Sequence, residues 1–264
     1  MVIIDAQAYV GESIYLKKKF TDDDLIKRMD ANGIDMAVVT APPPARAQDY
    51  QEANKIIYEA TKKYPDRLIG LYKVNPWFRN AELERAETAI KDWEFKGIKL
   101  NPFHESFNVI KYNPQKEASY VVNPIVKAVM DLASRLEVPV FFHTGDSTFC
   151  PPESILFIAA LYPKVTVMTR HTLLGLLLAS HQCLSKDLEN IVFGTYPLKG
   201  GGPKGIDKFL KLIPIGIGVN RIVFTTETPF GHPEFELKVI ERTNLDTKIK
   251  NLIMSTNIKN IINI

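Results

Sequence analysis

Short apolar runs recur along this chain at nearly regular intervals. Eight of them are almost continuous in apolar, mostly branched residues, which is typical of parallel strands that are buried on both faces. In chain order they read VIID, DMAVVT, RLIGLYKV, GIKL, VPVFFHTG, VTVMTRH, NIVFGT and RIVFTTE. Their centres, from Ile4 to Val223, lie between 25 and 43 residues apart. This spacing indicates repeated strand–loop–helix units.

The stretches between the runs have helical character. Residues 22–33, DDDLIKRMDANG, begin with acidic side chains that complement a helix dipole and end at Gly33, a typical helix stop. Residues 50–65, YQEANKIIYEATKKYP, close with a lysine pair and a proline. Eight strands that alternate with helices predict an α/β fold, a single (β/α)8 TIM barrel over residues 1–264. A doubly wound open sheet is the alternative.

One interval between runs is longer than the others. It follows the fourth run and begins PFHESFNVIKYNPQKEASY, a polar and aromatic stretch without strong periodicity. We interpret residues 101–120 as a candidate lid over the strand ends. The chain has no linker and no low-complexity tract, which predicts one domain.

Composition and charge narrow the classes of function. The 33 basic and 30 acidic residues are mixed along the chain, without the basic block that tracks phosphates, so we expect no nucleic acid as a partner. No stretch approaches the roughly 18 apolar residues of a membrane span. Cys150 and Cys183 form neither a CxxC motif nor a disulfide framework, which favours a cytoplasmic protein.

The polar residues that close the apolar runs are the candidate functional groups, because catalytic side chains of such barrels project from the carboxyl ends of the strands. His143 closes the fifth run, His171 the sixth and Glu227 the eighth. A lone histidine at a strand end is more often structural, but three such groups at equivalent ends favour a site. Two imidazoles and a carboxylate can hold zinc and activate a bound water. They are therefore the candidate catalytic residues and the candidate metal ligands.

Several segments together resemble the amidohydrolase-related metal-dependent hydrolases, especially the branch that contains aminocarboxymuconate-semialdehyde decarboxylase. The segments are IIDAQAYVG, GIKLNP, VPVFFHTG, VTVMTRH, NRIVFTTETPFGHPEFEL and IMSTNIKNII, the last with Asn257. Their order and spacing cover nearly the whole chain. The resemblance implies a barrel enzyme that hydrolyses or decarboxylates a small carboxylated molecule, and a homodimer as the common assembly.

The first strand departs from the pattern of that family, which reads Asp-x-His-x-His and brings both histidines to the metal. Gln7 and Tyr9 stand at the two histidine positions, and Glu227 replaces an aspartate. A glutamine carbonyl is a weak zinc ligand and a neutral tyrosine scarcely one. Two alternatives remain for His143, His171 and Glu227: they hold one divalent metal, zinc, or they form a hydrogen-bonded cluster without any metal.

Four residues are candidate substrate contacts: Lys99, Tyr9, Gln7 and His104. If Lys99 points into the barrel, its charge needs an anion, and a substrate carboxylate would supply one. The alternative is that Lys99 points outward or forms an internal salt bridge. His104 and Glu105, on the candidate lid, either contact the substrate or form an exposed pair. Tyr9 either donates a proton or hydrogen bond to the substrate or packs in the mouth.

Two classes of function follow. The resemblance favours an amidohydrolase-like hydrolase or decarboxylase acting on a small carboxylated molecule. The replacements at Gln7, Tyr9 and Glu227 favour a non-catalytic paralogue, a structural subunit or small-molecule binder whose metal site has decayed. The metal content of the purified protein distinguishes the metalloenzyme from the decayed site.

Overall fold

The computed structural model describes residues 1–14, 19–44, 50–113, 115, 119–144, 148–169, 188–196 and 218–264. The strands are β1 Ile4–Tyr9, β2 Met36–Thr40, β3 Leu68–Gly70, β4 Tyr72–Lys73, β5 Ile98–Leu100, β6 Ile110–Asn113, β7 Ser119–Val122, β8 Val140–Phe142, β9 Val167–Thr169, β10 Ile191–Gly194 and β11 Ile222–Val223. The α-helices are α1 Asp22–Ala31, α2 Tyr50–Lys63, α3 Arg79–Asp92, α4 Pro124–Leu136, α5 Pro152–Leu161, α6 Pro233–Glu241, α7 Thr247–Asn251 and α8 Asn257–Ile262. Each of the eight apolar runs forms a strand, as the sequence predicts.

The strands close into a ring of parallel neighbours. One sheet has the order β1-β2-β3 and the other β4-β5-β8-β9-β10-β11. Only Leu71 separates β3 from β4, and its amide donates to the carbonyl of Val39, which joins the two sheets on one side. On the other side, the amide of Ala6 in β1 donates at 2.8 Å to the carbonyl of Phe224, just after β11. The predicted (β/α)8 barrel is thus confirmed, and the open sheet is wrong.

Within the described ranges the buried apolar side chains form two separate clusters. The strand side chains that point inward form the barrel core: Ile4, Ala6, Val38, Ile69, Leu71, Phe141, Met168, Val192 and Val223. The alternate strand positions pack against the surrounding helices in a larger outer cluster. Burial of alternate positions on both faces explains why the runs are continuously apolar.

The last helix, α8, closes the amino-terminal end of the barrel. Its Ile258 and Ile262 are buried in the barrel core. The side-chain amide of Asn257 donates to the carbonyl oxygens of Val219 (2.8 Å) and Ile222 (2.7 Å), just before and at the start of β11. Asn257 therefore fixes the closing helix to the last strand. Ile258 and Ile262 thus fill the amino-terminal end of the barrel interior.

The predicted helix boundaries agree with the structure. Thr21 and Asp24 form a capping box at the start of α1. Gly33 has a φ of 65°, the left-handed conformation that glycine adopts readily, just beyond the end of α1. The second predicted helix is α2, which ends at Lys63.

The candidate lid has more regular structure than the sequence suggests. Strands β6 and β7 pair antiparallel, and Tyr112 and Tyr120 meet edge to face with ring centroids 6.0 Å apart. The hairpin extends two residues beyond the predicted limit, to Val122. Hydrogen bonds between the two strands stabilise this hairpin, although the sequence of the segment shows no periodic pattern that predicts it. Among the described residues, no helix is long and apolar enough to cross a membrane.

Candidate active site

An irregularity in β1 directs two polar side chains into the mouth of the barrel. Ile4 and Ala6 belong to the barrel core, whereas Ala8 belongs to the outer cluster, although strict alternation would put all three on one face. The pairing of β1 with β2 shifts register between Asp5 and Ala8, as at a β-bulge. Because of this shift, the even-numbered residues of β1 face the barrel interior before the bulge and the odd-numbered residues face it after the bulge. Gln7 and Tyr9 are consequently buried at the carboxyl end of the strand.

Gln7 is the centre of a hydrogen-bonded network at this mouth. The Lys99 Nζ, on β5, donates to Gln7 Oε1 at 2.8 Å. The Gln7 Nε2 donates to the hydroxyl oxygen of Tyr9 at 2.8 Å and to Glu227 Oε1. All four side chains are almost completely buried, and Lys99 and Glu227 have no exposed surface. The structure thus brings together four of the residues that the sequence singles out.

The chemistry of its neighbours determines the orientation of the Gln7 amide. The carbonyl oxygen faces the amino group of Lys99, and the NH₂ group faces the carboxylate of Glu227. The reversed amide would point N–H donors at a donor and an oxygen at a carboxylate, so only the observed orientation satisfies both neighbours. The amide dipole therefore links a basic and an acidic side chain.

Glu227 lies on an unusually tight turn after β11. Its φ of 58° is left-handed, which is uncommon for a residue other than glycine. Its amide donates to the carbonyl of Gln7 at 3.0 Å, and its carbonyl accepts from the amides of Phe230 and Gly231. The ring of Phe230 packs edge to face on Tyr9, with centroids 5.4 Å apart. The turn thus fixes the carboxylate against β1.

We expect Gly231→Ala to disrupt this turn. A Cβ at Gly231 would lie 1.9 Å from the carbonyl oxygen of Thr226 and 2.6 Å from the ring of Tyr196, so the backbone before Glu227 would have to move. The free energy of unfolding should fall by roughly 2–3 kcal/mol in urea titrations. Gly33→Ala is the comparison, since a Cβ there meets nothing within 4 Å and its cost comes only from the left-handed φ of 65°, roughly 1 kcal/mol. An equal loss in both variants would contradict the close packing at Gly231.

Asp5 secures the joint between the first and last strands. Its Oδ1 accepts from the amides of Gln7 (3.1 Å) and Thr226 (2.9 Å), and its Oδ2 accepts from the Thr226 hydroxyl. Burial raises the pKa of Asp5 to about 7, and the charge of Glu227 contributes to the rise, although the hydrogen bonds oppose it. Asp5 therefore holds the two strands in register from beneath the mouth.

Asp5→Asn should change how stability depends on pH. In the folded chain Asp5 keeps its proton up to a pH of about 7, whereas the unfolded chain loses it near the ordinary value of 3.8. The folded state binds the extra proton, so stability from this group is complete below pH 4 and is lost as the pH rises to about 7, by roughly 4 kcal/mol. Asparagine preserves the two accepted backbone bonds and cannot ionise.

Urea unfolding of both proteins between pH 4 and 8 checks this expectation. The native protein should lose more stability than Asp5→Asn over that range. The same pH dependence in both would mean that folding does not raise the pKa of Asp5.

A second buried polar cluster lies beside the first. Lys73 on β4 is the register partner of Lys99 on β5 and is likewise buried. Its Nζ lies 3.7 Å from Glu105 Oε1 and 5.9 Å from the ring centroid of Tyr50. The Glu105 carboxylate accepts from the Tyr50 hydroxyl and, at 2.9 Å, from the amide of Asn101. Two lysines thus stand next to each other at the mouth.

The expectation of an exposed pair is wrong for Glu105, whose side chain is 1% exposed. It turns inward because Lys73, Tyr50 and a backbone amide satisfy its oxygens there. Burial raises its pKa to about 7 despite the nearby Lys73. His104 is half-buried beside this cluster, and burial together with the charge of Lys73 lowers its pKa.

Sequence reasoning missed Lys73 and Tyr50. Lys73 lies near the end of the third apolar run, RLIGLYKV, as Lys99 does in the fourth, so the same rule about polar residues at strand ends could have found it. Tyr50 opens α2 and carries no such signal. Its place at the mouth is revealed by the hydrogen bond from its hydroxyl to Glu105, a residue 55 positions further along the chain.

The two histidines are placed unequally. His143 directly follows β8, is partly exposed, and its amide donates to the carbonyl of Leu100 at 2.8 Å. His171 and Cys183 lie outside the described residues, while Cys150 is a buried free cysteine. Within the described ranges no three histidine, cysteine, aspartate or glutamate side chains form a group that could hold a metal ion. The set of His143, His171 and Glu227 stays a prediction.

A divalent ion does not fit the described surroundings of Glu227. The oxygen Oε1 of Glu227 accepts an N–H of Gln7, and the carbonyl oxygen of Gln7 accepts from Lys99. Gln7, at the first of the two first-strand positions, has an amide oxygen that already accepts a hydrogen bond. Tyr9, at the second, has a phenol. Neither replaces the imidazole nitrogens of a typical zinc site.

Solved structures share this fold over nearly their whole length. A 5-carboxyvanillate decarboxylase from Novosphingobium aromaticivorans, with bound manganese and 3-methoxy-4-hydroxy-5-nitrobenzoic acid, has a TM-score of 0.76 at 14% identity, covering 100% of this chain and 97% of that one. A 2,6-dihydroxybenzoate decarboxylase from Rhizobium has a TM-score of 0.73 at 16% identity, covering 99% of each. A 4-oxalomesaconate hydratase from Rhodopseudomonas palustris has a TM-score of 0.67 at 17% identity, covering 99% and 96%.

The sequence was also compared with curated protein sequences and with family profiles. No curated protein sequence matches the chain. The family profile described as amidohydrolase matches residues 10–262, so it includes Lys99, His143 and Glu227 but begins just after Tyr9. Because the match covers almost all of the barrel, this chain belongs to the amidohydrolase family.

Proposed function

We propose that this protein is an amidohydrolase-family enzyme, a hydrolase or carboxy-lyase, that acts on a small carboxylated molecule at the carboxyl end of the barrel. The observation that carries the proposal is the fully buried Lys99 at the mouth, joined through Gln7 to the equally buried Glu227. A buried amino group and a buried carboxylate are costly unless they serve each other or a ligand. Buried ionisable groups of opposite sign in a cleft are candidates for a functional site.

The lysines define which end of the substrate binds. Lys99 and Lys73 are register partners on adjacent strands, about 5 Å apart at the backbone, as neighbouring strands are. Each already has a partner, Gln7 Oε1 and Glu105 Oε1 respectively, and an ammonium group has three donors. A substrate carboxylate would accept a further charge-assisted hydrogen bond from Lys99.

Glu227 and Tyr9 are suited to proton transfer. In a decarboxylation the bond to the carboxyl carbon breaks, carbon dioxide leaves, and the electron pair on the remaining carbon takes up one proton from an acid. Tyr9 and Glu227 are linked through the Gln7 amide, and either the phenol of Tyr9 or the carboxylate of Glu227, once it has taken up a proton, can donate that proton. In a hydrolysis, Glu227 or His143 would instead accept a proton from the attacking water.

A metal cofactor is the part of the family's chemistry that this chain fits least well. The decarboxylase from Novosphingobium aromaticivorans holds manganese, which supports a divalent ion in general and not zinc in particular. When bound in such a site, the ion polarises the substrate and neutralises charge. If this chain did bind such an ion, His143, His171 and Glu227 are the residues that would hold it, and the proposed reaction does not pass through a metal.

Three further features of the proposal rest on the sequence. Residues 101–120, with His104, would cover the substrate as a lid. The protein would be a homodimer in the cytoplasm. A small molecule, and neither nucleic acid nor a membrane, would be its partner.

A panel of small carboxylic acids tests the proposal. The purified protein is incubated with 2,6-dihydroxybenzoate, 5-carboxyvanillate and simple carboxylic esters, and carbon dioxide release and ester cleavage are followed by gas detection and chromatography. We expect turnover of at least one class, lost in Glu227→Gln and kept in Glu153→Gln, an exposed residue on α5. No turnover of any member by the native protein would count against an enzyme of this substrate class.

The alternative is a barrel that binds a small acid without converting it. The observation that favours it is the Gln7 amide, which fills a ligand position of the family with a group that does no acid–base chemistry. Calorimetric binding of a panel acid to the native protein, without any product after long incubation, would support this alternative.

A further inference from the structure

Buried Glu227 needs a positive counter-charge, and the structure shows where one lies. The carboxylate has no exposed surface, so water does not stabilise it. Its Oε1 accepts from Gln7 Nε2, and the other end of that amide accepts from Lys99 Nζ at 2.8 Å. A single amide thus separates the carboxylate from a buried basic group.

We infer that the Lys99 ammonium, held by Gln7, balances the charge of Glu227 in the place of a divalent metal. Gln7 itself occupies one of the first-strand positions that the family resemblance assigns to metal ligands. The arrangement is an ion pair bridged by an amide. The amide dipole points its negative oxygen at the ammonium and its positive N–H at the carboxylate, so it strengthens the attraction across the gap.

The bridge also explains why glutamine and tyrosine suit the first strand. A histidine at position 7 would present one donor and one acceptor on a rigid ring, whereas the glutamine amide presents an oxygen on one side and two N–H groups on the other. The two N–H groups reach Glu227 and Tyr9 at once. The Tyr9 ring is held from its far side by Phe230. The replacements thus form a connected network and not a set of lost ligands.

The inference stands on this geometry alone and is independent of the proposed reaction. Its readouts are bound metal and thermal stability, so a protein without turnover would leave it intact. Conversely, a metal-free protein that converts a panel acid would agree with both the inference and the proposed function.

The first measurement is the metal content of the native protein. After dialysis against manganese or zinc chloride and removal of free ions, elemental analysis should find no stoichiometric metal, and neither ion nor a chelator should shift the Tm. One equivalent of manganese or zinc per chain that is lost in Glu227→Gln would overturn the inference, since Glu227 would then be balanced by that ion.

The second measurement is a double-mutant cycle on the two charges. Lys99→Met should lower the Tm by roughly 5–10 °C, because it removes the buried cation that the Gln7 amide links to the Glu227 carboxylate. Glu227→Gln should lower it for the converse reason. The double variant, with two neutral side chains, should be clearly more stable than the sum of the single effects predicts.

Lys164→Met, an exposed lysine, is the matched control and should change the Tm by less than about 1–2 °C. Strictly additive losses in Lys99→Met and Glu227→Gln would show that the two charges do not interact and would overturn the bridged pair. If a single variant does not fold, the metal content of the native protein decides by itself.

Discussion

Lys99→Met should weaken the binding of a small carboxylic acid by about 10- to 100-fold, the typical value of a hydrogen bond to a charged group in a buried site. Methionine keeps the length and apolar stem of the side chain but removes all three N–H donors. It also removes the buried positive charge that Gln7 links to Glu227, so the mouth becomes less favourable for an anion. Titration calorimetry with 2,6-dihydroxybenzoate, well below the Tm of each variant, measures the change.

Two controls test whether the effect is specific to Lys99 and to the carboxylate of the ligand. Lys164→Met removes an exposed positive charge and should bind the acid as the native protein does. The uncharged analogue resorcinol should bind native protein and Lys99→Met with similar affinity, because it has no carboxylate for Lys99 to contact. Equal binding of 2,6-dihydroxybenzoate by native protein and Lys99→Met would place the carboxylate elsewhere.

Glu227→Gln should lower kcat on the best panel substrate by about 10²- to 10⁴-fold, the range that general acid–base groups contribute. Glutamine retains an oxygen that can accept from Gln7 Nε2, so the position of Gln7 and Tyr9 should change little. It cannot take up or release a proton. The effect should therefore fall on kcat more than on KM.

Single-turnover assays of Glu227→Gln and its control Glu153→Gln check this separation. A variant that keeps native kcat would remove Glu227 from the chemistry and leave it as the counter-charge of Lys99. A rise in KM at constant kcat would indicate a role in binding alone.

The sequence predicts the barrel well because the signals for it are local. Continuous apolar runs, acidic helix starts and a glycine at a helix end all act within a few residues. Even the polar residues at the strand ends can be located, since parallel strands expose all their carboxyl ends on one face. This rule predicts His143, His171 and Glu227 and applies equally to Lys73 at the end of the third run, whereas Lys99 is predicted from the cost of burying a lysine charge.

The tertiary structure alone decided how these residues act on one another. The hydrogen bond from Lys99 to Gln7 joins residues 92 apart in the chain, and the one from Gln7 to Glu227 joins residues 220 apart. The bulge that turns Gln7 inward, the left-handed backbone of Glu227 and the inward turn of Glu105 all depend on contacts between distant strands and loops. Such contacts cannot be predicted from a periodic sequence pattern, because each one depends on a single side chain and a partner that is distant in the chain.

The sequence by itself thus predicted the barrel and polar groups at its mouth, and it places Gln7 and Tyr9 where the family resemblance implies histidines. Only the tertiary structure decided that the replacing residues form a connected network, with Lys99 bound to Gln7 and Gln7 bound to Glu227. The physical reason is that burial on folding removes water from these groups, so each must find its partner across the barrel.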